Sequence, residues 1–410
     1  MATLFPFRAL RPRPDLAAAI AAVPYDVVNT EEARALAEGN PLSFLHVSRA
    51  EIELPPETDP YSDAVYQRAV ENYRSLTGSS FVLEDEASVY FYRLRMGAHE
   101  QTGIAACFSI DEYDRDVIKK HERTRRDKED DRTRHMLALG AQTGPVFLTY
   151  RASADVNDVA RRVTAGSPLV DFAAPDGVQH TVWRVGGADR DALVGAFSRI
   201  PDLYIADGHH RAASAARARA DMRARGVTGQ SLEDGADFNT VMAVAFPHDQ
   251  VQVLAYNRIV KDLAGLTTQQ FLEAVAERFL VTPGPAEPAQ RGEIAMYLDG
   301  TWRTLVPRVP PDPNDAIGSL DVSVLQDNLL DPILKIVDVR SDKRIDFVGG
   351  ARGTGELERH VRSGRFAVAF SLFPVSVADL MAVSDADAIM PPKSTWFEPK
   401  LRDGLLVHVI

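Results

Sequence analysis

Between Pro201 and Arg211 the chain reads Pro-Asp-Leu-Tyr-Ile-Ala-Asp-Gly-His-His-Arg, which places Asp207, His209, His210 and Arg211 within five residues around Gly208. Leu203, Tyr204 and Ile205 have the apolar character of a short buried strand. Residues 212–225 are dense in helix formers and stop at Gly226, a natural C-terminal cap. The charged group therefore occupies a turn from strand to helix. The first amides of such a helix lack internal acceptors and its dipole is positive there, so an anion finds donors, and Arg211 can add a bidentate grip. Asp207 would repel that anion unless magnesium bridges the two or Asp207 takes a proton from an acceptor hydroxyl. The competing reading is a capped helix in a polar corner. The density of ionisable groups at a position that commonly hosts ligands argues for a site.

Two further segments carry candidate chemistry. In Met390-Pro391-Pro392-Lys393-Ser394-Thr395-Trp396-Phe397-Glu398-Pro399-Lys400 the prolines hold a stiff loop. Lys393, Ser394 and Thr395 there supply a point charge and hydroxyls for phosphate, and Trp396 a stacking surface. The alternative is a surface loop with buried aromatics and a snorkelling lysine. In Lys119-Lys120-His121-Glu122-Arg123-Thr124-Arg125-Arg126 and the acidic run after it, the charge pattern predicts a solvated helix laced with ion pairs. His121 and Glu122 follow the apolar pair Val117-Ile118 and so suit the edge of a cleft. Phe347-Val348-Gly349-Gly350-Ala351-Arg352-Gly353-Thr354-Gly355 is a glycine loop of the kind that can cradle phosphates, but its spacing fits neither the dinucleotide fingerprint nor the Walker loop, and the competing reading is glycines that serve turns.

These residues need elements to hold them. Asn29 or Thr30 caps a helix ending at Gly39, after a loop containing Pro24-Tyr25-Asp26-Val27-Val28. Strands are expected over 88–96, 103–110, 146–150, 179–184 and 238–246, and helices over 61–76 and 189–199. Asp299-Gly300 marks a hairpin between 294–298 and 302–305. Residues 405–410 read as a final strand. The expectation is an α/β protein of mixed sheet in two domains: 1–265 containing the Asp-Gly-His-His-Arg turn, and an α+β domain, 266–410, whose Lys-Ser-Thr loop returns to the site.

At 410 residues, 45% hydrophobic and 25% charged, the chain has material for an ample core. Its net charge of -12 opposes a nucleic-acid partner, which demands clustered cations. Cys107 is the single cysteine, so internal disulfides and cysteine-based zinc are excluded. With no signal-peptide pattern and no apolar run of membrane length, the expected location is the cytoplasm.

Taken together, Pro24-Tyr25-Asp26-Val27-Val28, His121-Glu122-Arg123-Thr124, Ala206-Asp207-Gly208-His209-His210-Arg211 and Met390-Pro391-Pro392-Lys393-Ser394-Thr395-Trp396-Phe397 resemble a prokaryotic family catalogued as domain of unknown function one thousand and fifteen. The Asp-Gly-His-His-Arg turn also resembles the phosphate-binding turn of the ParB and sulfiredoxin superfamily, which includes free-serine kinases. That second resemblance implies a ParB/sulfiredoxin-like nucleotide-binding core. It also implies Asp207 as metal or hydroxyl partner, and Gly208, His209, His210 and Arg211 around the phosphates. The sulfiredoxin cysteine has no counterpart, because histidine stands in its place, and the partition proteins' basic surface is not evident. The catalytic glutamate of the kinases cannot be aligned, which leaves Glu122 and Asp26 as candidates. Tyr25, Asp26 and Trp396 are assigned to substrate, and His121, Arg123 and Thr124 to the nucleotide.

The resulting expectation is a small-molecule kinase, using ATP or ADP with Mg2+, whose best acceptor is free L-serine giving O-phosphoserine. Its partners would be nucleotide and small-molecule substrate, with no membrane and a homodimer left open. Two alternatives stand: a nucleotide-gated, ParB-like switch without turnover, and a metal-dependent hydrolase built on His121, Glu122, Asp207, His209 and His210.

Overall fold

The structure, a computed structural model, describes residues 1–227 and 238–410. It separates into two compact units, Met1–Val251 with Pro399–Ile410, and Gln252–Glu398. This division differs from the 1–265 and 266–410 expectation at the boundary and in the terminal segment. Pro399–Ile410 belongs to the first unit because it is knitted there by backbone pairing: Leu10 with Val407, Ala22 with Asp403, and His408–Val409 with Ala141–Gln142.

Among the described residues the first unit contains a nine-stranded mixed sheet. Its strands in chain order are β1 (Leu4–Phe5), β2 (Val89–Met96), β3 (His99–Ser109), β4 (Ile118–Lys119), β5 (Val146–Tyr150), β6 (Val170–Ala173), β7 (Gln179–Val185), β8 (Leu203–Asp207) and β9 (Thr240–Pro247). The spatial order is β4-β8-β5-β9-β3-β2-β7-β6, with β1 on β3. The β4–β8 and β5–β9 pairs are parallel and the rest antiparallel. The mixed α/β class expected from the strand and helix patterns is the one observed.

The helices of this unit include α1 (Thr30–Ala37), α2 (Asp63–Ser80), α3 (Arg126–Leu139), α4 (Ala154–Thr164), α5 (Gly187–Phe197) and α6 (His209–Ala224). Ile104, Phe108, Leu148, Ile205 and Ala243 share one core cluster with Ala212, Ala215 and Ala218 of α6. Small alanines let α6 lie close on the sheet, which brings the helix start directly to the end of β8. The charged run does not form the single solvated helix expected. Helix α3 begins only at Arg126 and buries Asp131, Thr133, His135 and Met136. Tyr66 donates to Asp131 at 2.7 Å and Arg132 adds a second bond at 2.8 Å, so these ionisable groups are buried because they are paired. The terminal strand is likewise shorter than expected, since only His408–Val409 finds a partner strand.

The second unit holds a six-stranded antiparallel sheet of β10 (Tyr256–Val260), β11 (Phe279–Pro283), β12 (Ile294–Leu298), β13 (Thr301–Pro307), β14 (Ile345–Gly349) and β15 (Val368–Leu372), in the order β11-β13-β12-β15-β10-β14. Asp299 and Gly300 both take positive φ, 49° and 73°, as a two-residue hairpin of matching twist requires. Helix α7 (Thr268–Arg278) starts with a reciprocal Thr267–Gln270 capping box.

Helix α1 begins with the same device: Asn29 accepts from Glu32 N–H and Glu32 accepts from Asn29 N–H. Replacing Asn29 by Ala removes one half and is expected to lower unfolding free energy by about 1 kcal/mol, measured by urea denaturation. An unchanged midpoint would show that water caps the helix equally well.

Candidate functional site

Asp207 ends β8, and the pairing of β8 with β5 slips between Ile205 and Asp207. Such an irregularity redirects the side chain at a strand end, a frequent device beside functional sites. Gly208 follows at φ 94°, where its N–H donates to Asp207 Oδ1 at 2.9 Å. A Cβ on Gly208 would stand 3.0 Å from the guanidinium carbon of Arg211. Glycine is therefore needed twice, for the left-handed backbone and for the space through which Arg211 folds back over its own turn.

Arg211 is 7% exposed. Its Nη1 donates to Pro145 O, and its Nη2 lies 3.6 Å from Asp207 Oδ2 and 3.8 Å from Asp26 Oδ2. Burial acts against this charge, but Asp26, Asp207 and Asp403 outweigh it and hold the guanidinium protonated. Lys400 donates to Asp207 Oδ2 at 3.0 Å. Burial alone would raise the Asp207 carboxyl; Lys400 and Arg211 overcome it and hold the group well below the ordinary carboxylate range. Such a carboxylate is a weak base and is suited to holding a cation.

The two histidines of the turn act on the loop before α3. His121 N–H donates to His209 Nε2 at 3.4 Å, and Arg125 N–H donates to His210 Nε2 at 3.1 Å. The amides of His121 and Arg125, outside α3, are thus satisfied by imidazole nitrogens instead of helix carbonyls. With Nε2 accepting, the proton of His209 sits on Nδ1, 3.9 Å from Glu122 Oε2. The rings of His121 and His209 meet edge to face at 4.4 Å. Burial lowers His121 to about 4 and, with the His121 ring beside it, lowers His209 well below the usual imidazole range. Both are neutral at pH 7, so they offer polar, uncharged surface. Thr124 Oγ1 donates to Glu129, and Arg123 is exposed to solvent.

Tyr25 and Asp26 enter from the turn after residues 17–20. Arg132 of α3 stacks 4.3 Å over the Tyr25 ring, and burial, then Asp26, raises the Tyr25 phenol far above its normal value. The structure thus brings together Tyr25, Asp26, His121, Glu122, Asp207, Gly208, His209, His210 and Arg211. Lys393, Ser394, Thr395 and Trp396 lie in the second unit. There Lys393 takes φ 60°, Arg258 donates to Lys393 O at 3.0 Å, and Ser394 Oγ donates to Pro391 O at 2.6 Å. Trp396 packs edge-on against Tyr256 at 5.1 Å and donates to Glu398 at 2.8 Å.

Two residues that sequence reading passed over belong to the site, Lys400 and Asp403. Lys400 stood at the end of a quoted motif. Asp403 had only a faint signal, an acid before Gly404 at the head of the apolar run Leu405-Leu406-Val407. Its side chain is 2% exposed and its Oδ1 has no hydrogen-bond partner. A Cβ on Gly144 would collide with that oxygen, so the glycine before Pro145 exists for this close approach as well as for the helix break. Burial raises the Asp403 carboxyl from 3.8 to about 7, Arg211 opposing and Asp26 reinforcing the rise.

Among the described residues no group of three or more His, Cys, Asp or Glu could hold a metal ion. A protein-built transition-metal cage is thus not offered, whereas a single carboxylate beside a phosphate suits magnesium. No described helix is long and apolar enough to cross a membrane.

A raised acid pKa means the ionised group destabilises the fold: the penalty is absent below about 4, grows as pH rises and is complete above 7. Asp403→Asn is expected to stabilise the protein at pH 8 by about 2 kcal/mol or more, the gain vanishing toward pH 4. Denaturation curves at both pH values check this, and a variant less stable at pH 8 would contradict it.

The model of a family described as "Protein of unknown function (DUF1015)" matches residues 4–323. No curated protein matches. Among solved structures, a free serine kinase in complex with AMP is 14% identical at a TM-score of 0.36, over 73% of this chain and 91% of that one. A conserved hypothetical protein from Pyrococcus furiosus is 14% identical at 0.36, over 74% and 95%. SbnI with a C-terminal truncation, from Staphylococcus aureus, is 13% identical at 0.39, over 73% and 85%. Likenesses this distant carry no argument about activity.

Proposed function

The chain belongs to the family described as "Protein of unknown function (DUF1015)", and from the chemistry of its own site we propose that it is a small-molecule kinase. A nucleotide, ATP or ADP, donates a phosphoryl group to a hydroxyl, and free L-serine, giving O-phosphoserine, is the first acceptor to test. The observation that carries this reading is the left-handed Gly208 between Asp207 and α6, over which the Arg211 guanidinium is folded while Lys400 reaches the same carboxylate. A helix start without a side-chain cap, two cations and an ionised carboxylate form a site where phosphate oxygens find donors.

In this mechanism the amides at the start of α6 and the Arg211 and Lys400 side chains hold the transferring group. Asp207 is the residue that would hold magnesium, whose chemistry there is neutralisation of donor phosphate charge. His209 and His210 fix the loop carrying Glu122 over the turn, and burial keeps His209 neutral so that it adds no competing charge. Lys393, Ser394 and Thr395 remain candidates for nucleotide contact, Tyr25, Asp26 and Trp396 for substrate. The hydrolase reading is weaker, because both turn histidines spend Nε2 on backbone N–H groups.

Calorimetric titration with ATP, ADP and pyrophosphate, with and without magnesium, tests the site. Mass spectrometry of L-serine and other hydroxyl compounds tests the reaction. Gly208→Ala, which strains the turn and pushes on Arg211, is expected to weaken nucleotide binding at least tenfold. Binding without any phosphorylated product would favour the nucleotide-gated switch, and absence of binding would end the proposal.

A further inference from the structure

We propose that a small cavity on the inner side of Arg211 receives the acceptor's hydroxyl and that Asp403 is the general base that takes its proton, an assignment that rests on the kinase reading above. The cavity holds about 40 Å3 and is lined by Tyr25, Ser48, Arg132, His135, Arg211 and Asp403 among others. Three of these present buried polar atoms without a partner: Arg211 Nε, Asp403 Oδ1 and Ser48 Oγ. Their residues are 7%, 2% and 3% exposed. A buried unsatisfied donor or acceptor costs about 1–3 kcal/mol, so three such atoms on residues that line one cavity point to a group that completes them. A hydroxyl does so: it accepts from Arg211 Nε–H and donates to Asp403 Oδ1, with Ser48 Oγ beside it.

Arg211 joins this cavity to the phosphate turn. Its guanidinium, Nε included, lies over the Gly208 backbone with Nη2 toward Asp207, and the same side chain lines the cavity with its Nε unpaired. A hydroxyl bound there lies next to the cation that holds the transferring group. As the acceptor oxygen forms its bond to phosphorus, its O–H bond breaks and the proton passes to the Asp403 carboxylate. The bond from phosphorus to the bridging oxygen of the nucleotide breaks, and the nucleotide leaves with that electron pair. Asp403 then returns the proton to solvent.

The environment suits the role. Asp403 is faced by Arg211 of α6, by Asp26 and the Tyr25 backbone from the Tyr25–Asp26 turn, and by Arg132 of α3, with His135 also lining the cavity. His135 donates Nε2–H to Val47 O at 3.0 Å and is held neutral, lowered to about 4 by burial and then by Arg132, so it does not compete for the proton. A base titrating near 7 matches proton removal at neutral pH, whereas the depressed Asp207 does not. The volume admits about three water-sized spheres, room for a terminal CH2OH and little more. The acceptor class is therefore a compact primary alcohol.

The test uses full-length wild type and Asp403→Asn, with magnesium-ATP or magnesium-ADP, against L-serine, glycerol and ethanolamine as primary alcohols and L-threonine as a secondary one. The expected result is transfer to a primary alcohol, at least tenfold slower to threonine, with a rate that rises through pH 7. Asp403→Asn should keep the wild-type nucleotide affinity and lose at least 100-fold in transfer rate. Transfer by Asp403→Asn at the wild-type rate, a wild-type profile flat across pH 7, or nucleotide turnover with no transfer to any primary alcohol overturns this assignment and leaves the phosphate site standing. Absence of nucleotide binding overturns both. If Asp403→Asn does not fold, the wild-type pH profile and Gly144→Ala decide: displacing the carboxylate should depress transfer without changing nucleotide affinity, and an unaffected rate refutes the role.

Discussion

The first unit is organised around one buried guanidinium. Arg211 is largely buried, and a charge in that position is tolerated only when compensated. Compensation comes from Asp26 in a turn near the N-terminus, Asp207 at a strand end and Asp403 in the last segment of the chain. One cation cannot satisfy three carboxylates. Lys400 relieves Asp207, which stays firmly ionised, and Asp403 is left with an unpartnered oxygen and an affinity for protons close to neutrality. Two carboxylates of the same chemical type thus acquire opposite characters, one holding charge and one exchanging a proton, by environment alone.

The same economy governs the histidines. The turn resemblance implied His209 and His210 beside the phosphates with Arg211, and in the structure their Nε2 atoms are turned to the backbone of residues 121 and 125. There they hold a loop that the helix could not, and burial keeps His209 uncharged. This reduces the number of charges that must be compensated beside Arg211. It also leaves the site's net charge to be set by Arg211, Lys400 and the carboxylates, the groups an incoming phosphate would meet.

Two glycines make these approaches feasible in different ways. Gly208 adopts a backbone conformation that a β-carbon would strain, and it leaves room for a side chain from its own helix. Gly144 has ordinary φ but stands where a carboxylate from the chain's end must pass. The first need is visible in a local motif, because Asp-Gly before a helix is a familiar punctuation. The second is not, because the crowding atom belongs to a residue far along the chain.

That contrast separates what was legible from what was not. The strand ending at Asp207, the helix after Gly208, the Asn29 cap and the Asp299-Gly300 hairpin all follow from periodicity, capping chemistry and backbone preference, which act over a few neighbouring residues. The amino-acid sequence by itself therefore determined that a charged turn would sit at a strand-to-helix junction, and which side chains it would carry. Only the tertiary structure decided that Lys400, 193 residues from Asp207, would neutralise it, that Asp403 would be left short of partners, and that the histidines would face a loop. The physical reason is that charge compensation and burial depend on distance in space, and no local pattern in a chain states which remote segment will supply them.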